Sequence, residues 1–92
     1  MTLSDEKYNG LREKLEKQNK WPNIYMFKFI MPADNKIMAQ VESLFDDNAT
    51  IYRKESKKGK YLSITVKDKM HDVEQVVAIY KKAEKINNLM IL

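Results

Sequence analysis

The segment IYMFKFIM, Ile24 to Met31, limits what this chain can fold into more than any other stretch. It is rich in aromatic and β-branched residues, carries a single charge, and is stopped by Pro32. Such a run reads as a central strand. Successive side chains of a strand point to opposite faces, so Tyr25, Phe27, Phe29 and Met31 share one face and Met26, Lys28 and Ile30 the other. A lysine is rarely buried unpaired, which turns the Lys28 face away from the main core and the aromatic face toward it.

A central strand needs neighbours, and the sequence supplies three. YLSITVK, Tyr61 to Lys67, alternates cleanly, with Leu62, Ile64 and Val66 inward and Tyr61, Ser63 and Thr65 outward. Ala49 to Lys54 reads as a short strand with Ile51 on one face and Thr50 and Tyr52 on the other. The connection ESKKG makes these two a hairpin, and Gly59 is the residue there that takes positive φ at least cost. Leu89 to Leu92 reads as a last, short strand.

Two amphipathic helices lie between the strands. Asp34 is placed to cap one that runs through Ile37, Val41, Leu44 and Phe45, the i, i+4, i+7, i+8 spacing of a buried stripe, before Asp46-Asp47-Asn48 ends it. The other spans about Asp72 to Lys85 and buries Val73, Val76, Val77, Tyr80 and Ala83. Asp72 and Gln75 have capping-box spacing, as do His71 and Glu74. Ahead of everything, residues 4–19 read as a polar helix with Ser4 as N-cap, Asp5 and Glu6 in the first turn, and a thin stripe of Tyr8, Leu11 and Leu15. Gly10 weakens it by about 1 kcal/mol relative to alanine. This helix must dock on something to persist. Trp21-Pro22 ends it, and Trp21 reads as the anchor that holds the arm down, with a place on a partner surface as the alternative.

Ninety-two residues that are 43% apolar suffice for one core. After the arm, the order is strand, helix, strand, strand, helix, strand. With right-handed crossovers this predicts an α+β protein of the ferredoxin-like βαββαβ type, a four-stranded antiparallel sheet with two helices on one face. The chain divides into an N-terminal helical arm, residues 1–20, and the ferredoxin-like domain, residues 21–92. The sheet face opposite the helices would show Met26, Lys28, Ile30, Tyr52, Tyr61, Ser63 and Thr65. It is too apolar to stay wholly wet, so the arm or another subunit is expected to cover part of it.

With no cysteine, the chain can form neither disulfides nor thiolate metal sites, which fits a reducing compartment. The start MTLSDEKYNG is acidic and polar rather than a secretory signal, and no apolar run approaches the ~20 residues of a membrane span. A soluble cytoplasmic protein is expected, with no membrane partner. Catalysis finds little to work with. His71, the one histidine, sits at a helix start and reads as a cap or surface residue. Asp46-Asp47 reads as a solvated turn, and Gly10 and Gly59 cannot form a glycine-rich phosphate loop. No enzyme, cofactor or metal is expected.

The net charge is +4, and RKESKKGK, Arg53 to Lys60, accounts for all of it with five basic residues and one acidic. An RNA-recognition motif shares this strand order but displays two stacking aromatics on its third strand. Here KGKYLSITV offers Tyr61 alone, with Ser63 at the next outward position, and the first strand turns Met26, Lys28 and Ile30 outward. Each missing platform forgoes about 1–3 kcal/mol per base. The lysines Lys57, Lys58 and Lys60 can still contact phosphate without sequence preference.

The segments WPNIYMFKF, ESKKGKYLSITV and VEQVVAIYKKAEKI resemble the YbeD-like family of small bacterial proteins over residues 21–92. Its most specific part is the hairpin, where Ser56, Gly59, Tyr61 and Ser63 stand at the S-x-x-G-x-Y-x-S spacing, enclosing Lys57 and Lys58. The resemblance implies a ferredoxin-like fold similar to small-molecule-sensing ACT domains, and a proposed link to lipoate regulation. An ACT-like ligand site would lie between the first strand and the first helix, where this chain has Met31-Pro32-Ala33-Asp34 and no glycine. The expected function is therefore a non-enzymatic regulatory domain that contacts an unidentified protein, with a second copy of the chain one candidate. Weak nucleic-acid binding and ACT-like sensing are the alternatives.

Overall fold

The computed structural model describes residues 6–18 and 20–92. Its elements are α1 (Asn9–Gln18), β1 (Asn23–Pro32), α2 (Asn35–Glu42), β2 (Thr50–Glu55), β3 (Tyr61–Met70), α3 (Val73–Glu84) and β4 (Met90–Ile91). The four strands form one antiparallel sheet in the order β2-β3-β1-β4, so the chain is α+β. The aromatic strand is central as expected, since β1 pairs with β3 along its whole length, from Asn23 opposite Met70 to Pro32 opposite Tyr61. β4 pairs through Ile30 opposite Met90 and Phe29 opposite Ile91.

The alternation read from the sequence matches the burial. Phe27, Phe29, Met31, Ile64 and Val66 are fully buried and face α2 and α3, whose Val41, Val76, Val77 and Ala83 complete the core. Asp34 caps α2 by accepting the Lys36 N–H at 2.7 Å, and Asp72 caps α3 by accepting the Gln75 N–H at 2.9 Å. Gln75 reaches back one residue further than a standard capping box and takes the His71 N–H at 2.7 Å. Gly59 does adopt positive φ, +68°, in the hairpin turn.

Three features differ from the sequence reading. α2 stops at Glu42, and Leu44 and Phe45 follow in a tighter turn closed by i→i+3 bonds to Val41 and Glu42. That tightening keeps both side chains on the core, so the apolar spacing outlasts the helix. β3 runs on to Met70, with Asp68 and Met70 continuing the inward set, because β1 offers it pairing partners back to Asn23. Third, the described part of the arm does not cover the open face of the sheet. Tyr8 and Leu15 are buried, Leu11 is half-buried, and α1 packs on α3 in the helical layer. Arg12 holds Glu74 with two bonds of 2.9 and 3.0 Å, and the Tyr8 hydroxyl donates to the Glu84 carboxylate, which also meets Lys7 Nζ at 2.6 Å. Those two donors, Lys7 first, hold the Glu84 carboxyl below the usual carboxylate range. Trp21 is half-buried against the core, as its anchor reading requires. Ser4 and Asp5, expected to open the arm helix, lie outside the described residues.

Among the described residues Asp68 is the buried charged side chain. It lies only 6% exposed beneath the sheet, and burial, aided by the nearby charge of Asp46, raises its pKa above the ordinary 3.8. The native state therefore holds this proton to higher pH than the unfolded chain does, so its contribution to stability falls as pH rises through that window. Asp68→Asn keeps an acceptor for the Lys69 N–H and removes the charge. Thermal unfolding followed against pH should show the variant more stable than the parent at pH 7. The gain should shrink to nothing below the ordinary carboxylate value of 3.8. An unchanged gain across the range would mean that the carboxyl is not strained by burial.

Candidate functional site

The sheet has one face packed under helices and one open to solvent, and the registers fix which side chains the open face shows. Directly paired residues of neighbouring strands project to the same side. Ile30, Ser63, Lys54 and Met90 thus form one row across the sheet, and Lys28, Thr65 and Tyr52 form the next. Met26, Lys67 and Thr50 follow, then Ile24 with Lys69. Leu92 donates its N–H to the Lys28 carbonyl at 3.0 Å and extends the outward parity of Met90.

The expected open-face residues Met26, Lys28, Ile30, Tyr52 and Thr65 therefore do share one surface, joined by Tyr61 and Ser63. The sequence reading missed Ile24, Lys54, Lys67, Lys69, Met90 and Leu92. The period-2 pattern continues the parity of Ser63 and Thr65 through Lys67 and Lys69, but the sequence reading takes the strand only as far as Lys67 and its outward set only as far as Thr65. The exposed large apolar side chains of the described residues are Ile24, Met26, Tyr52, Tyr61, Met90 and Leu92, from 48 to 67% exposed, and all of them lie on this face. Lys28, Lys54, Lys67 and Lys69 stand among them, while no Asp or Glu side chain projects from these strands to this side. Glu55 and Asp68 have the opposite parity. Lys67 Nζ sits 5.7 Å from the Tyr52 ring centroid, a cation–π contact.

The hairpin motif adjoins one end of this face. Ser56 accepts the Tyr61 N–H on its Oγ at 3.2 Å, its own N–H donates to the Tyr61 carbonyl at 2.9 Å, and its carbonyl takes the Gly59 N–H at 2.9 Å. The S-x-x-G-x-Y spacing is thus explained by the closing of this turn. Ser56, Tyr61 and Ser63 line an open concavity of about 220 Å³ with Ile30, Lys54, Glu55 and Leu62, so the motif and the face meet there. Lys57, Lys58 and Lys60 point into solvent at the tip.

The other residues weighed for chemistry are placed apart. His71 is exposed at the start of α3, and Asp46 accepts the Asn48 N–H at 2.9 Å in the turn before β2. Asp34, in the turn where an ACT-like ligand would lie, is committed to capping α2. Among the described residues no three His, Cys, Asp or Glu side chains are grouped to hold a metal ion, and no helix is long and apolar enough to cross a membrane.

No curated protein and no solved structure matches the chain. A family model described as a protein of unknown function, DUF493, matches residues 16–92, from within α1 through β4. That span contains the whole sheet and the S-x-x-G-x-Y-x-S hairpin, and the chain belongs to this YbeD-like family of proteins of unknown function.

Proposed function

We propose that this protein is a non-enzymatic regulatory domain of the cytoplasm that acts by docking a partner protein on its open sheet face. The observation that carries the reading is the gathering on that one face of all six exposed large apolar side chains among the described residues. Contiguous apolar exposure of this kind marks an interaction surface. The strand order β2-β3-β1-β4, with one helix after β1 and another after β3, supports the ferredoxin-like reading and its likeness to ACT domains. The family resemblance adds lipoate metabolism as the process such contacts would serve. Nucleic acid is the second reading, favoured by the lysines of the face and of the adjoining hairpin. Against it, Tyr52 lies opposite Thr65, four residues or about 13 Å along β3 from Tyr61, too far for a continuous stacking platform.

The native chain has no cysteine, so Met26→Cys takes a single photo-crosslinker on the face and Glu13→Cys takes one on the exposed side of α1. In native cytoplasmic extract the first should form a discrete protein adduct and the second none. Adducts with nucleic acid that survive moderate salt, or equal labelling from both positions, would overturn the reading.

A further inference from the structure

The occupant of the open face can be specified further, on the reading that this face is a docking surface. Its apolar side chains are not scattered. Ile24, Met26 and Ile30 run along β1, and Met90 and Leu92 flank them on β4. Beside this stripe, on β3, stand Lys67 opposite Met26 and Lys69 opposite Ile24, with Lys28 set within it. We propose that the face binds an amphipathic helix of a partner protein, with the helix's apolar stripe on β1 and β4 and its Asp or Glu flank over Lys67 and Lys69.

Shape and size both favour a helix. A sheet face is commonly covered by helices laid on it, and here the helices of the described residues lie on the other side. From Ile24 to Ile30 the stripe spans about 20 Å, the length of roughly 13 helical residues. The two methionines supply adaptable side chains of the kind that line helix-binding surfaces. Charge decides the flank, because four lysines project to this face against Asp68 and Glu55 at its edges, whose side chains project to the other side, and the excess leaves the partner to provide anions. The same charge disfavours a second copy docked face to face, which would set Lys28, Lys67 and Lys69 against their equivalents. An oligonucleotide would satisfy the lysines but would lay its bases on aliphatic side chains along β1 rather than on rings.

The probe is a labelled synthetic peptide of about 16 residues with leucines at i, i+3, i+4 and i+7 and glutamates beside them, titrated with the full chain by fluorescence anisotropy. A second peptide carries glutamine at every glutamate position. The glutamate peptide should bind about ten-fold or more tighter than the glutamine peptide, and raising salt to about 0.5 M should shrink the difference. Lys67→Glu with Lys69→Glu should remove the preference, and because both side chains are exposed, the fold is preserved, as amide spectra will verify. Peptide-induced amide shifts should map to β1, β3 and β4. Equal binding of both peptides at those amides would overturn the acidic partner while leaving the docking face intact. Binding of neither peptide, or tighter binding of a uridine-rich oligonucleotide or of phosphatidylglycerol vesicles, would overturn the helix proposal. In the latter case the protein-docking reading falls with it.

Discussion

Phe27→Ala should cost this protein about 3–5 kcal/mol, the usual range for emptying a fully buried phenylalanine site. Phe27 has no exposed surface. Its ring stacks on Tyr25 with centroids 4.7 Å apart, and it meets Phe45 at 5.2 Å and Tyr80 at 5.3 Å. The site cannot collapse easily, because β1 is held between β3 and β4 and the facing rings come from separate elements. A domain of this length has about 5–14 kcal/mol of stability in all, so the variant should sit near the edge of folding. Thermal unfolding followed by circular dichroism should show a midpoint lowered by at least about 12 °C. A shift of only a few degrees would place the centre of the core elsewhere.

Leu15→Ala should release the arm without unfolding the sheet. α1 has ten described residues, too few to be stable alone, and Leu15 is its most deeply buried side chain against the rest of the protein. Leucine-to-alanine substitutions at buried sites cost about 2–5 kcal/mol, as much as a short docked helix has to lose. In the ion pairs of Lys7 with Glu84 and of Arg12 with Glu74, one partner, Lys7 or Glu74, is open to solvent, so these pairs contribute about 1 kcal/mol each and add to the apolar contact rather than replace it. Hydrogen exchange should show protection lost across Asn9–Gln18 while β1 and β3 amides remain protected. Glu74→Gln should leave the arm docked. Simultaneous loss of protection in α1 and β3 would show arm and sheet to be one cooperative unit, with no boundary at residue 20.

Much of the fold was legible because the governing signals are local. The alternation of Phe27 and Phe29 with Lys28, and of Ile64 and Val66 with Thr65, fixes the faces of the two central strands without knowledge of their partners. Asp34 and Asp72 cap helices where their sequence contexts put them. Ser56 and Gly59 are turn residues by their own chemistry, so the hairpin is written in the sequence as well as in its geometry. The failures are those that depend on distant partners. KDKM looks like the polar end of a strand until ten residues of β1 are available to pair with it. The stripe of Tyr8, Leu11 and Leu15 requires a surface to bury against but does not name one, and the apolar open sheet face was the surface the sequence offered.

The candidate site divides in the same way. By itself the sequence determined that Met26, Lys28 and Ile30 face away from the core, because a strand has no other way to bury its aromatic set. Only the tertiary structure decided that Lys67 and Lys69 stand beside them and that Met90 and Leu92 extend the apolar stripe, because register between strands is a long-range property. It also decided that this face stays open. The described part of the arm buries Tyr8 and Leu15 against α3, where the apolar core continues, and the lysine-bearing face offers that stripe no comparable burial.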